Sequence, residues 1–180
     1  MNKKTIYITS GAPCAGKTTF INQRIEALDG VRISRDEIRL SMLAPGDFYF
    51  KNENKVFETF IHKIQEAIDN PRGKKEIYID ATHLNKKARN KVINRLNLEN
   101  VDTIIVLLFD IPLEELLIRN KERNNPIPED AIERMKNSMD APTRNEEIEY
   151  LARDNVERVY FWKIDKDGWI EDFDIRSENA

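Results

Sequence analysis

The segment TSGAPCAGKTTF, residues 9–20, follows the strand-like stretch KTIYI and runs into an apolar helical pattern. Within it, Gly11-Ala12-Pro13-Cys14-Ala15-Gly16-Lys17-Thr18 fits G-x-x-x-x-G-K-[ST] at every fixed position. Such a loop must turn successive backbone N–H groups toward phosphate oxygens, which needs residues that tolerate unusual angles and close approach. The following helix, starting at Lys17 and carrying Thr18 and Thr19 in its first turn, adds the partial positive charge of its N-terminus. Lys17 supplies a mobile cation for the β- and γ-phosphates, and the Thr18 hydroxyl a ligand for Mg²⁺. Two of the chain's six glycines sit here. The pattern predicts binding of a Mg²⁺-nucleoside triphosphate. Cys14, inside the loop, is either a thiol activated by the helix N-terminus or a small residue that fits the turn, and the second reading is preferred.

Around this loop, short apolar runs alternate with longer amphipathic ones. Strands are expected at 4–9, 31–34, 75–80, 103–109 and 157–164, and helices at 17–28, 36–43, 52–69, 86–98, 112–123, 128–139 and 145–153. Strand–helix–strand alternation with near-continuous apolar strands indicates a parallel sheet covered on both faces. The 180 residues suit one domain with a proper core. The stretch WKIDKDGW superficially matches an aspartyl-phosphate motif at Asp165-x-Asp167-Gly168, but is read as a tight hairpin before a short last strand, WIEDF. No apolar run reaches the ~18 residues of a membrane span, and MNKKTIYI enters a strand directly, so a cytoplasmic protein is expected. A single cysteine excludes an internal disulfide, and two distant histidines, His62 and His83, make a zinc site unexpected. With net charge −3, any nucleic-acid contact has to come from local basic clusters.

The fate of the γ-phosphate depends on what the rest of the sequence carries. An N-K-x-D base-reading motif of GTPase switches is not found; Asn120-Lys121-Glu122-Arg123 lacks its aspartate. The strand EIYID ends at Asp80 and continues Ala81-Thr82, without the glutamate that hydrolytic motors use to polarise water. Asp80 itself is either a partner for Mg²⁺ or a strand-end capping residue. Transfer to an acceptor other than water is therefore favoured. On the acceptor side, Ser34-x-x-Glu37 is a capping box that starts a helix. It places Asp36 in the first turn, at the carboxyl edge of the sheet where α/β enzymes hold ligands. Arg39 lies on the same face. That face offers a carboxylate to take a hydroxyl proton and a cation to fix an anionic acceptor, or else a plain surface ion pair.

SRDEIR together with GAPCAGKT resembles the kinase domain of bacteriophage polynucleotide 5′-hydroxyl kinase and its relatives, P-loop kinases built like adenylate kinase. IDATHLNKKAR is similar to the segment that lines that family's acceptor cleft. FDIPLEELLIRNKERNNPIPEDAIERM resembles its lid, here about residues 119–140. The match runs from about residue 4 to 140; beyond Met135 no motif is matched and the adenine contacts stay unassigned. The resemblance implies a three-layer α/β/α P-loop fold with a five-stranded parallel core and a helical lid. It implies that Lys17 and Thr18 hold phosphates and metal, that Asp36 is the general base, and that Arg39 binds the acceptor phosphate. It further implies that Thr82 touches the acceptor, and that Arg119 and Arg123 stabilise the transferring group.

Residues 86–95, KKARNKVINR, hold five cations and no acid. On a helix, Lys87, Lys91 and Arg95 form one stripe and Ala88, Val92 and Leu96 a buried one. Lys87 and Arg89 are expected near the acceptor, where the segment either grips backbone phosphates or is an exposed cationic face. Three functions follow: an ATP-dependent kinase of polynucleotide 5′-hydroxyl ends, a kinase of a small hydroxyl compound (nucleoside, sugar or antibiotic), or a nucleotide-dependent binding module.

Overall fold

The computed structural model describes residues 3–173 and 175. Among them six strands, β1 (Lys4–Ser10), β2 (Gly30–Ser34), β3 (Glu76–Asp80), β4 (Val101–Phe109), β5 (Arg158–Ile164) and β6 (Ile170–Asp172), form one sheet in the order β2-β3-β1-β4-β5-β6. The first five pair in parallel, as expected. β6 returns antiparallel against β5 through a hairpin in which Gly168, at φ 83°, takes the left-handed position. WKIDKDGW is thus a turn. Its Asp165 carboxylate is occupied by the backbone N–H groups of Asp167 and Trp169, at 2.8 and 2.9 Å.

The described residues also form seven helices: α1 (Lys17–Ala27), α2 (Arg35–Ser41), α3 (Glu53–Asp69), α4 (Lys86–Ile93), α5 (Leu113–Lys121), α6 (Glu129–Asn137) and α7 (Arg144–Leu151). The central strands β1 and β4 are buried along nearly their whole length, which is why their sequences read as unbroken apolar runs rather than alternating ones. One face packs Ile6, Ile8, Ile77 and Ile79 against Val56, Phe60 and Ile64 of α3. The other sets Tyr7, Ile105 and Leu107 with Phe20 and Ile21 of α1 and Leu116 of α5.

Two helices end earlier than their apolar period suggests. α4 stops at Ile93, capped by Asn94, so Arg95 lies just past it. α5 stops at Lys121, so Arg123 sits in the turn that follows. In both places short-range bonds prolong the turn, Arg95 N–H to the Val92 carbonyl and Arg123 N–H to that of Asn120. The side chains therefore still project near where a longer helix would have sent them.

Candidate active site

The phosphate loop leaves β1 at Ser10 and closes on α1. Its first glycine is demanded by packing: a Cβ on Gly11 would stand 2.8 Å from the Cβ of Phe109 at the end of β4. Its last is demanded by conformation, since Gly16 caps α1 at φ 86°. Cys14 also adopts the left-handed region, at φ 66°. The Gly11 N–H donates to the Thr82 carbonyl at 2.8 Å, which ties the loop's entry to the segment after β3. Lys17 folds back over the loop, its ammonium donating to the carbonyls of Gly11 and Ala12 at 2.9 and 2.7 Å. Burial pulls its pKa down to about 8, against the raising influence of Asp80 and Asp36 and with further lowering by Arg123. Thr18 and Thr19 are exposed on the first turn. No hydrogen bond among the described residues engages the Thr18 hydroxyl, so it is free to ligate Mg²⁺ beside the phosphates. Asp80 is buried and accepts from Arg32 Nε of β2 at 2.8 Å; no hydrogen bond among the described residues engages its other carboxylate oxygen. No three-residue His/Cys/Asp/Glu cluster that could hold a metal ion occurs among the described residues. The donor set therefore fits a cation carried in with phosphates rather than one caged by side chains.

Two arginines reach this loop from the far side. Arg119, bonded to Glu115 and to the Lys166 carbonyl, brings Nη1 to within 3.4 Å of where a Gly16 side chain would begin. Arg123 is exposed and its Nη1 donates to Cys14 Sγ at 3.6 Å. Between them in sequence, buried Asn120 clamps the loop that leads to α6. Its amide donates to the Ile127 carbonyl at 2.7 Å and its oxygen accepts from the Ile127 N–H at 2.9 Å. Asn120 was not among the expected site residues. It sets the exit of the loop that carries Arg123, and only its position between the two arginines hinted at a role.

On the acceptor side, Ser34 caps α2 by accepting from the Glu37 N–H at 3.3 Å. Asp36 stands out from the first turn with 70% of its side chain exposed. Its carboxylate accepts from the Tyr49 hydroxyl at 2.8 Å and from Arg39. Arg39 is mostly buried: Nε and Nη2 donate to Glu53 at 2.5 and 3.1 Å, and Nη1 also donates to the Tyr49 hydroxyl. Its guanidinium is engaged on nearly every edge, so it orients Asp36. Tyr49 and Glu53, from the irregular segment and α3, were invisible as partners in the sequence because they lie 13 and 17 residues from Asp36.

The basic segment divides. Lys87, Lys91 and Arg95 are exposed, and Val92 and Leu96 are buried. Arg89, expected to touch the acceptor, does not belong to the exposed face. Its side chain is fully buried, bonded to Glu146 at 2.6 and 2.9 Å, to Asp140 at 2.8 Å and to the Ser10 hydroxyl. It is a strut beneath the phosphate loop, joining α4 to α7 and the end of β1. Its side chain points opposite to Lys87 and Lys91 because the helix turns it toward the sheet.

His83 is also interior. Its Nδ1 lies 2.8 Å from the Thr9 carbonyl, so Nδ1 carries the proton and Nε2 is a buried acceptor without a protein partner. Burial lowers its pKa to about 4; the Thr9 contact opposes this, and Arg35, Lys17 and Arg89 add to it.

Comparison with known proteins follows the same lines. The AAA_33 family, described as an AAA domain, matches residues 6–142. The L-seryl-tRNA(Sec) kinase of Methanococcus maripaludis is 28% identical over 143 residues, 76% of this chain and 53% of that protein. A chain of the Pnkp1/Rnl/Hen1 RNA repair complex superposes with a TM-score of 0.63 at 26% identity, covering 76% of this chain and 44% of that one. A gluconokinase from Sinorhizobium meliloti 1021 shares the fold at 14% identity and a TM-score of 0.52, over 90% of this chain and 82% of its own. The chain spans about half the length of the curated relative it matches. With the family matched over most of its length and the phosphate loop in place, this chain belongs to the AAA_33 family and has the fold of P-loop kinases.

Proposed function

We propose that this domain transfers the γ-phosphate of ATP to the 5′-hydroxyl of a DNA or RNA end, a reaction of nucleic-acid repair carried out in the cytoplasm. The observation that carries it is Asp36: an exposed carboxylate held by Tyr49 and Arg39, close enough to the phosphate loop to influence Lys17. Among the described residues no helix is long and apolar enough to cross a membrane. The likeness to a chain of an RNA repair complex supports the same acceptor class.

The donor is held by the backbone N–H groups of the loop and by Lys17, which leaves the Gly11 and Ala12 carbonyls to follow the phosphates. Thr18, with Asp80 behind it, would hold Mg²⁺, which would supply charge neutralisation. Asp36 accepts the proton of the attacking hydroxyl, whose oxygen forms the new P–O bond as the bond to the leaving ADP breaks. Arg39 and the Tyr49 hydroxyl hold the carboxylate in place through hydrogen bonds. Arg119 and Arg123 spread the negative charge on the transferring group. Thr82, tied to the loop through its carbonyl, and exposed Lys87 border the acceptor.

A second acceptor class, a small hydroxyl compound, is favoured by one observation. Arg35, Arg39 and Arg95 are each paired with Glu53 or Glu58, which weakens the field a long polyanion would feel. Labelled γ-phosphate transfer to 5′-hydroxyl DNA and RNA oligonucleotides beside nucleosides and sugars separates the two. Label only on small molecules removes the first reading. In the same assay Asp36→Ala should lower transfer by about 10²- to 10⁴-fold, the usual worth of a general base, with ATP binding retained. Survival of activity would remove Asp36 from the role.

A further inference from the structure

The segment joining α2 to α3 carries Phe48, Tyr49 and Phe50 in succession, and all three are exposed, Phe48 at 71% and Phe50 at 52%. The Phe48 and Phe50 rings lie 5.8 Å apart, and Tyr49 meets Phe50 at 4.8 Å, edge to face. Leu40, 60% exposed, is a neighbour of Arg39 on α2. Aromatic rings left in water beside a catalytic carboxylate call for an occupant. These rings are tied to that carboxylate: Tyr49 donates to Asp36, and the Arg39 guanidinium sits 4.8 Å over Tyr49 and 5.4 Å over Phe50.

From Phe50 the surface continues as two hollows of about 370 and 240 Å³ that share Glu53 and Asn54. The first is flanked by Lys55 and by Lys51, which is paired with Asp47. The second is flanked by Lys91 and by Arg35 and Arg95, whose charges Glu53 and Glu58 already meet. Among the described residues the unpaired cations along this path are therefore Lys55 and Lys91. Lys91 rests 4.5 Å over the Phe57 ring and makes no ion pair among the described residues. Aromatic faces alternating with cations match a single strand, whose bases need π surfaces and whose phosphates need positive charge. A neutral sugar acceptor brings no phosphate to meet these cations.

Resting on the polynucleotide reading above, we infer that Phe48 and Phe50 form a stacking platform for unpaired bases next to the 5′-hydroxyl. The strand then runs toward Lys55 and Lys91. The acceptor is accordingly a single-stranded or frayed end, because bases within a duplex are already stacked on each other. The platform recognises base faces shared by DNA and RNA.

The test compares wild type, Phe48→Ala/Phe50→Ala, Phe50→Trp and Phe50→Leu on 5′-hydroxyl single strands and on duplexes with recessed 5′ ends, at saturating ATP. Stacking is worth ~1–3 kcal/mol per base, so the double variant should raise the single-strand KM by about 5- to 150-fold with kcat little changed. Phe50→Trp should retain affinity and Phe50→Leu should not. A 2-aminopurine in the second position should be quenched on binding wild type and not on binding the double variant. If wild type labels no oligonucleotide, the polynucleotide reading itself fails. If it labels them and the variants match it in KM and quenching, or leucine serves as well as tryptophan, only the platform is overturned. Loss of self-association by the double variant in sedimentation, with KM unchanged, would likewise overturn it in favour of a contact between copies.

Discussion

The donor and acceptor halves of this site use positive charge in opposite ways. Around the phosphate loop Lys17 rests on two carbonyls and Arg123 on a thiol, and of the three cations there only Arg119 meets a carboxylate, that of Glu115. Around the acceptor, Arg32 meets Asp80 and Glu37, Arg35 and Arg39 meet Glu53, and Arg95 meets Glu58. On the reading proposed above, the first half is an anion site whose lysine gives up two neutral carbonyls for a phosphate. The second is a scaffold that fixes one carboxylate, Asp36, in a chosen direction. The difference teaches that a domain with an acidic net charge can still present a locally cationic loop, because local imbalance decides. It also means that acceptor affinity has to come from something besides bulk charge.

The sharpest way to break this comparison is to remove a cation from each half. Arg123→Ala should reduce kcat by about 10³-fold or more, the range of an arginine that stabilises a transferring phosphoryl group. Its melting temperature should stay near wild type, since the residue is exposed and breaks no ion pair. Arg89→Met should do the reverse. It leaves Glu146 buried and unpaired, which costs about 3–5 kcal/mol in stability, measurable by denaturant unfolding. Arg89→Met/Glu146→Leu should recover much of that loss, leaving the Tyr150 hydroxyl, now at 2.9 Å from Glu146, as the residual defect. A stable Arg89→Met protein, or an Arg123→Ala protein that melts early, would erase the distinction between liganding and structural arginines.

How much of this was legible in the sequence follows the same division. The phosphate loop is local: eight consecutive residues specify turn, glycine positions and cation, so motif and geometry coincide. Strand and helix placement and the parallel sense of the sheet were legible, though not the strand order, because β1, β3 and β4 carry continuous apolar runs and the helices between them keep their period. The acceptor scaffold was not, because its bonds are long-range. Nothing in KKARNKVINR distinguishes Arg89, which is buried, from Lys87 and Lys91, which are not, until Glu146 is brought to it from 57 residues away. Glu53 likewise reads as an ordinary first-turn acid of α3 until α2 packs beside it. Charge runs in sequence show sign, and only the fold shows pairing.

His83 sharpens the comparison from the boundary between the halves, since it bonds to β1 yet feels Arg35. In the unfolded chain its pKa is near 6.5 and in the native protein about 4. Below pH 6.5 the unfolded chain binds a proton that the native protein refuses until about pH 4. Native stability from this group is therefore complete above pH 6.5 and declines as pH falls toward 4. The slope is about 1.4 kcal/mol per pH unit, roughly 3 kcal/mol in all. Denaturant unfolding from pH 7 to 4.5 should show this decline, and His83→Asn should flatten it relative to wild type. Equal slopes in the two proteins would mean that His83 titrates normally and that the boundary is wet.

The smallest effect concerns Lys17, and it tests whether the donor half is short of negative charge, as the comparison requires. In the free protein its pKa of about 8 reflects burial that Asp80 and Asp36 only partly offset. A bound triphosphate supplies the missing counter-charge and holds the ammonium protonated. Nucleotide binding should then take up a proton as pH rises past 8, and affinity should fall by about tenfold per pH unit above that point. Titration of a fluorescent ATP analogue between pH 7 and 9 should show the Kd rising with pH. The rise should be absent in Lys17→Met, whose affinity is weak at every pH. Were the wild-type Kd flat across that range, Lys17 would already be fully compensated by its neighbouring carboxylates. The donor half would then balance its charges as the acceptor half does, and the contrast between them would have to be sought in geometry alone.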